Sequence, residues 1–473
     1  MSKIFRGTFV DTPAPGELRI RLDHVLVVDG RGFISHVRPA SDPTIQSLLI
    51  AAASAAAGAS SNNATAIVTD LPAHTFLLPT FADLHIHAPQ YLYAGTGLDQ
   101  PLMSWLDKYA YAAEERVDAD PALAHRVYTQ LAKRLIQAGT GCAVAFGTIG
   151  VEANLILAQA FQDAGIRGFI GKLSMDNSPR PTYGEASTAD SLTSLTSFLN
   201  GMDELALPLA AHEQLVHPII TPRFVPVCSD DLLRGIADIS RARGVKVQSH
   251  MCESRDQMAW VEGTRGKKDE VVFDEAGLLT EHTVQAHVTS FPPSLVELVK
   301  KRGVTVAHCP LSNAYFSDAA FPLREAIDAG VKVGLGSDIA GGYALPLQTQ
   351  MRQAVVVARL REGARREAAF ADGTSTAGDE GKGLRVDWVE ALYLATRGGK
   401  GALGFGGVLE EGMEFDAQQI SLAADGAGVG QLDLFDLPAA PDHEWWTESV
   451  ERWWCNGDDR NRAAVWVQGR KVM

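Results

Sequence analysis

Hydrophobic and polar positions fall into two textures along this chain. In residues 4–39, short apolar runs alternate with turns: IFRGTFVDT, ELRIRLDHVLVVDG and GFISHVRP. Apolar runs this short, broken by Gly, Pro and Asp, predict hairpins rather than helices. The same texture returns near the far end, in GMEFDAQQISLA at 412–422 and AAVWVQGRKVM at 463–473. The two ends are therefore read as one small β-sandwich assembled from residues 1–75 and 406–473. The Ala/Ser/Gly/Asn tract at 51–66 is read as a surface loop or frayed helix within it.

Between the ends, eight strand-like runs alternate with helical stretches: FLLPTFADLHIH (76–87), GCAVAFGT (141–148), RGFIGKLSM (167–175), IITPRFVPV (219–227), VKVQSH (245–250), TVQAHV (283–288), VTVAHCP (304–310) and VKVGLGSD (331–338). Stretches such as SDDLLRGIADISRARG and SLVELVKKRG carry helical periodicity. Gly244, Gly303 and Gly330 each stand between a helix and the next strand, where a left-handed cap is wanted. Eight apolar strands alternating with helices are the count of a (β/α)8 TIM barrel, placed over residues 76–405. A doubly wound open sheet ranks second, because no GxGxxG or P-loop opens any of the helices.

Composition narrows the class. The 473 residues are 46% hydrophobic and 21% charged, which excludes disorder as the main state. Forty-two basic against 57 acidic side chains give a net charge of −15. That balance argues against nucleic-acid or anionic-membrane partners. No run of 18 apolar residues exists, and the N-terminus MSKIFRGTFVDTP has no long apolar stretch, so neither a membrane span nor secretion is indicated. Five cysteines never paired as CxxC read as reduced thiols of a cytoplasmic protein.

The histidines and acids supply the chemistry. His85 and His87 end the first run two residues apart, so both point to one face. His250 ends the fifth run, His287 the sixth, and Asp338 the eighth. In a barrel these strand ends converge on one mouth. Each residue alone is commonplace, but five together describe a divalent-metal site, zinc first and iron as the alternative. Three His and one Asp around a metal leave a position for water, whose pKa the metal lowers. Glu253, three residues past His250, is the candidate proton shuttle. Asp338 can ligate the metal and also accept a proton. His308 would overfill a mononuclear site and is read as structural or as a residue supporting the ligands, while Cys252 and Cys309 are read as buried thiols.

Longer words carry a resemblance. LLPTFADLHIHAPQYLYAGTGLDQPLMSWLDKY, TPRFVPVCSDDLL, QSHMCES, VAHCPLSNAYFSDAAFPLREA and KVGLGSDIAGGY, followed by LATRGGKGALG, EEGMEFDA and GDDRN, resemble the guanine deaminases of the amidohydrolase superfamily over most of residues 75–473. HxH alone indicates only the superfamily, whereas APQY, TPRF and SHMCES together are specific. The resemblance implies metal ligands at His85, His87, His250 and Asp338, and one zinc per subunit. It implies contact of His287 with the metal-bound water or substrate, and proton transfer by Glu253.

By the same resemblance, Gln90, Arg223 and Phe224 hold the purine, in a site where His250, Glu253, His287 and Asp338 also meet substrate. An amide can match a purine edge, a guanidinium can donate to O6, and an aromatic ring can stack on the base. The implied reaction is hydrolytic attack at C2 of guanine by a zinc-activated water, with Glu253 protonating N3, loss of ammonia and formation of xanthine. A homodimer is a further implication. Lys172 is the one candidate for a carbamylated bridging lysine, but a mononuclear site is expected.

Two other functions remain open on sequence. One is deamination of another aminated heterocycle, such as 8-oxoguanine, a pterin or a triazine. The other is a non-enzymatic scaffold that has kept the fold, although such a protein is expected to lack some of the ligands present here. The segment 371–384 looks like a long surface loop. Trp445, Trp446, Trp453 and Trp454 fit one face of a helix packed on the barrel or on a dimer partner.

Overall fold

The computed structural model describes residues 2–58, 66–317, 319–372, 383–423 and 432–473. The N-terminal strands are β1 (Ser2–Asp11), β2 (Arg19–Val28), β3 (Ile34–Pro39), β4 (Ala66–Asp70) and β5 (Thr75–Pro79). The central strands are β6 (Phe81–His87), β7 (Thr140–Phe146), β8 (Arg167–Gly171), β9 (Leu173–Ser174), β10 (Val216–Pro218), β11 (Thr221–Pro222), β12 (Val247–Met251), β13 (Thr283–His287), β14 (Thr305–His308) and β15 (Lys332–Leu335). β16 (Ala417–Ser421), β17 (Arg462–Val467) and β18 (Arg470–Lys471) close the chain.

Both chain ends meet in one sheet, in the order β18-β17-β16-β5-β1-β2-β3, with β4 pairing β1. Among the described residues the expected sandwich thus takes the form of one hydrogen-bonded sheet rather than two. Alternation places Phe5, Phe9, Leu26 and Val28 in one cluster with Leu77, Phe415 and Trp466, and the Phe5 and Phe415 rings stack at 4.9 Å. At Gly32, with φ of +86°, an added Cβ would lie 2.0 Å from the Gln468 carbonyl. Only glycine lets the turn after β2 close against the C-terminal hairpin.

The run 76–87, expected as one strand, divides at Thr80. Residues before it pair with β16, and residues after it run parallel to β7. The Thr80 N–H donates to Asp416 O at 3.0 Å, in register with the β5–β16 pairs, and the next donor, Phe81 N, turns to Gly139 O at 2.9 Å beside β7.

The central region is α/β with parallel sheets in the orders β10-β8-β7-β6, β11-β9 and β12-β13-β14-β15. All eight expected runs contain strands, and β6, β7, β8, β12 and β13 are buried along their whole length. Burial on both faces gives β7 its near-continuous apolar run, whereas β6, β12 and β13 carry buried Asp, His, Gln and Ser among their apolar residues. Bridges Ile220–Val247 and Phe224–His250 join the chain around β11 to β12. On the other side, Asp338 N donates to His85 O at 2.8 Å and His87 N to Ile339 O at 2.9 Å, joining the end of β15 to β6.

Helices cover these strands, and local chemistry sets their limits. Ser229 caps the helix Asp230–Arg243 by accepting from Leu232 N, and Gly244 ends it at φ +65°. Gly303 ends the helix Pro293–Arg302 in the same way, at φ +73°. The tryptophan segment is the helix His443–Asn456. Its Trp446 and Trp453 meet Phe76 of β5 edge-on at 6.1 and 5.6 Å, so this face packs on the chain's own core.

The tract at 51–66 begins in the helix Pro43–Gly58, and its residues 59–65 lie outside the described residues. Of the loop at 371–384, residues 373–382 also lie outside them. No helix among the described residues is long and apolar enough to cross a membrane.

One buried carboxylate locks the terminal sheet to the central strands. Asp416, just before β16, accepts from Arg167 Nε at 2.7 Å, from Arg167 Nη2 at 3.1 Å, from Lys400 Nζ at 3.0 Å and from Gln468 N at 2.7 Å. Burial alone would raise its pKa, but the Arg167 and Lys400 charges prevail and hold it below the usual carboxylate range.

Candidate active site

The strand ends bring the sequence-selected residues together. His85 and His87 alternate along β6 with the core residues Leu84 and Ile86. His85 Nε2 lies 3.1 Å and His87 Nε2 3.6 Å from Asp338 Oδ1, three residues past β15. His250, on β12, places its Nε2 3.0 Å from His87 Nε2. His287, ending β13, stands 3.8 Å from Asp338 Oδ2 and 3.7 Å from Glu253 Oε1. Close backbone approach is part of the design. At Gly336 an added Cβ would come within 2.7 Å of His85 Cβ and 2.9 Å of Cys309 Sγ.

Backbone strain gathers at the same place. His287, Val288, Asp338 and Cys252 have φ of +73°, +50°, +48° and +50°. The left-handed region is unfavourable for any of them, most of all for β-branched Val288, and such strain persists only where the surroundings over-determine it. Val288 N bonds Met251 O at 2.9 Å and Thr289 N bonds Cys252 O at 3.0 Å. Below them, Asp269 Oδ2 accepts from Cys252 N at 2.7 Å and from Gln257 Nε2 at 2.8 Å, while Gln257 Oε1 accepts from Glu253 N at 3.1 Å. Glu253 thus stands on a clamped loop, directly before Ser254, which caps the helix Arg255–Arg265.

The donor set fits a metal ion. His250 Nδ1 is 2.6 Å from Arg223 O and His287 Nδ1 is 2.9 Å from Asn313 Oδ1. Each partner accepts, so each ring carries its proton on Nδ1 and turns a bare Nε2 inward. His85 Nε2 and His287 Nε2 are buried without a hydrogen bond. Burial lowers the pKa of His85, His87 and His250 well below 6.5, and that of His287 as well. Neutral imidazoles with converging lone pairs beside a carboxylate are what a divalent cation requires. The groups His85–His87–Asp338, His85–His250–His287 and Glu253–His287–Asp338 each hold their ligand atoms within 4.8 Å of one another.

Burial raises the pKa of several acids here, Glu253 and Asp83 most of all. Glu253 is pushed up to about 8, by burial first and then by the Asp338 charge. Asp83 is raised to about 7 by burial, although its Oδ1 accepts from Ser337 N at 2.9 Å and His85 N at 3.1 Å. His308 stays outside the group: its ring lies 5.2 Å from Phe321, and burial lowers its pKa to about 3. Lys172 is buried and donates to Glu185 Oε1 at 2.7 Å and to Leu173 O at 2.8 Å. It is an ion-paired ammonium, not a free amine for carbamylation. Cys252 and Cys309 are buried thiols whose pKa burial raises well above 9.

A cavity opens over this cluster. Gln90, Arg223 and Phe224 line it together with His87, His250, Glu253 and Asp338, and Leu102, Trp105 and Phe316 form an apolar wall. Trp105 and Phe316 touch at 5.0 Å between ring centroids. Several participants were not singled out from the sequence: Asn313, which orients His287; Asp83, which braces β6 against Ser337; Glu114; and the wall residues. Asp83 and Asn313 do stand inside the recognisable words FADLHIH and HCPLSN, and their regular distance from the histidines was the available signal.

Comparison with known proteins agrees with this geometry. The family model described as the amidohydrolase family matches residues 76–472. The chain is 32% identical over 482 residues to a protein of Homo sapiens named guanine deaminase, covering 100% of this chain and 97% of that one. It is 30% identical over 475 residues to a guanine deaminase of Dictyostelium discoideum, covering 99% and 98%. Among solved structures, guanine deaminase from C. acetobutylicum with guanine bound in its active site superposes with a TM-score of 0.82. The two share 28% identity and are fully covered.

Proposed function

The chain belongs to the amidohydrolase family, and from the site it carries we infer that it is an enzyme converting guanine and water to xanthine and ammonia. One observation bears most of this reading. His87, His250 and Asp338 of the cluster, the protonatable Glu253 and the three purine-matching side chains of Gln90, Arg223 and Phe224 line one cavity. Full-length similarity to guanine deaminases supports the same substrate. In this reading the parallel strands complete a (β/α)8 barrel, with the site at the strand C-terminal mouth.

His85, His87, His250 and Asp338 would hold the metal, taken as one zinc per chain. Such an ion supplies a strong nucleophile at neutral pH by acidifying a water, and it polarises the reacting centre. The chain's own residues do the rest. Phe224 stacks on the purine, and Arg223 donates to O6. Gln90 keeps one N–H and one oxygen lone pair for the ring, because its Nε2 donates to Glu114 and its Oε1 accepts from Ala340 N at 3.3 Å.

Burial holds a proton on Glu253 at neutral pH, the form needed to protonate N3 as the bond from oxygen to C2 forms. Glu253 then takes a proton from the incoming hydroxyl and passes it to the departing amine, so that ammonia leaves and the C2 carbonyl forms. His287, its tautomer fixed by Asn313, presents Nε2 as an acceptor that aligns the attacking oxygen, and Asp338 takes up the first proton of the water and returns it to Glu253 once ammonia has left. The apolar wall of Leu102, Trp105 and Phe316 keeps bulk water from the ring.

The homodimer and the cytoplasmic location are carried in this proposal as well, and light scattering of the purified chain checks the first. The decisive experiment measures ammonia and xanthine from guanine, with 8-oxoguanine, adenine, cytosine and pterin as comparisons. Glu253→Gln is expected to lose 10²–10⁴-fold in kcat while retaining metal. Turnover of a different ring and not of guanine would refute the substrate assignment. Turnover undiminished in the variant would refute the role of Glu253.

A further inference from the structure

We propose that Glu114 is the positioning residue that makes this pocket selective for a neutral oxopurine. It fixes Gln90 and Arg223 with one carboxylate and cancels the arginine's charge, and this rests on the guanine reading above.

Glu114 lies on the short helix Ala112–Asp118 and is completely buried. Its Oε1 accepts from Gln90 Nε2 at 2.8 Å and its Oε2 accepts from Arg223 Nη1 at 2.5 Å. The two residues assigned to the purine edge are therefore tied to opposite oxygens of the same carboxylate. That arrangement sets the spacing between them. The Arg223 guanidinium also stands 4.6 Å from the Tyr111 ring centroid, held from a second side by the chain segment that carries Glu114. Its Nη2 is buried and makes no hydrogen bond to the protein, so one donor of a locked fork is left for the cavity that Arg223 lines.

The electrostatic consequence follows from burial. A guanidinium with 1% exposure and a carboxylate with none, 2.5 Å apart, act on a ligand as a nearly neutral pair. Arg223 therefore offers a directed hydrogen bond to an oxygen acceptor without offering a net positive charge. A neutral lactam carbonyl such as O6 of guanine is well served, whereas a purine anion gains little from the pair and meets the Asp338 carboxylate that lines the same cavity. An unpaired arginine in the same place would favour the anion.

The test compares wild type, Glu114→Gln and Glu114→Asp for guanine KM and kcat, and for inhibition by urate, a purine that is anionic at neutral pH. Glu114→Gln leaves Arg223 charged and unbalanced. Its guanine KM is expected to rise by about tenfold or more, the loss of one hydrogen bond to a charged group. Its kcat is expected to fall less than KM rises, and urate inhibition should tighten by at least a similar factor. Glu114→Asp keeps the charge but is one methylene shorter, so KM should rise with urate inhibition unchanged.

A fall in kcat with KM and urate inhibition unaltered would make Glu114 a structural residue only and overturn the proposal. If Glu114→Gln does not fold, the aspartate variant decides: an unchanged guanine KM overturns the proposal, and a raised one with kcat retained supports it. Wild-type turnover in the same series tests the deaminase reading separately. Should guanine not be turned over, calorimetric binding of guanine and urate to wild type and variants still decides the role of Glu114.

Discussion

Replacing Asp416 with Asn removes the charge at the junction between the terminal sheet and the central strands. The carboxylate accepts from Arg167 at 2.7 and 3.1 Å, from Lys400 at 3.0 Å and from the Gln468 amide at 2.7 Å. Arg167, Lys400 and Asp416 are each no more than 3% exposed. An asparagine keeps the shape but leaves two buried cations without a counter-ion, and such a break costs about 3–5 kcal/mol.

The sign with pH follows from the depressed folded pKa of Asp416. Its contribution is fully present above the unfolded value near 3.8 and is lost as pH falls through the folded value. Urea-unfolding midpoints of wild type and Asp416→Asn should therefore differ strongly at pH 7, and the gap should narrow below about pH 4. The triple variant Asp416→Leu, Arg167→Met, Lys400→Met removes the charges together and should be less destabilised than Asp416→Asn. A single variant within about 1 kcal/mol of wild type at pH 7, or a gap that does not change on acidification, would refute the reasoning.

Asn313→Ala frees His287 to rotate and to change tautomer. Losing this hydrogen bond, 2.9 Å long, should cost about tenfold in kcat, or ~1.4 kcal/mol, with stability nearly unchanged; equal kcat would show that the tautomer is not set there. Prolonged dialysis against a chelator should abolish turnover and lower the melting temperature, with zinc restoring both, and metal-free protein with full activity would overturn the ligand assignment. Trp453→Ala empties a fully buried site against Phe76. It should destabilise by about 3–5 kcal/mol without altering KM, and a change confined to association state would instead point to an interface role.

Much of the site was legible because its residues sit at predictable ends of periodic elements. His85, His87, His250 and His287 lie within the last three residues of short strands that are buried along their whole length, so the strand ends fix where their side chains converge. The alternation of β6 then forces both its histidines to one face. Asp338 was legible with them, as the acid that ends the GLGSD word. By contrast, dividing 76–87 at Thr80 depends on what pairs with each half, and β16 arrives from more than 300 residues away. A local pattern holds no information about that partner.

What the sequence determined by itself was the set of elements, the residues aimed at one mouth and the chemistry those residue types permit. These follow from side-chain period, cap residues and donor atoms, all of which are local. The tertiary structure alone decided which buried charges balance one another. Glu114 meets Arg223 across 109 residues and Asp416 meets Arg167 across 249. In the sequence both acids look like ordinary solvated positions, one within AAEERVD and the other within MEFDA. Desolvation makes their pairing decisive, and desolvation exists only once distant segments have packed together.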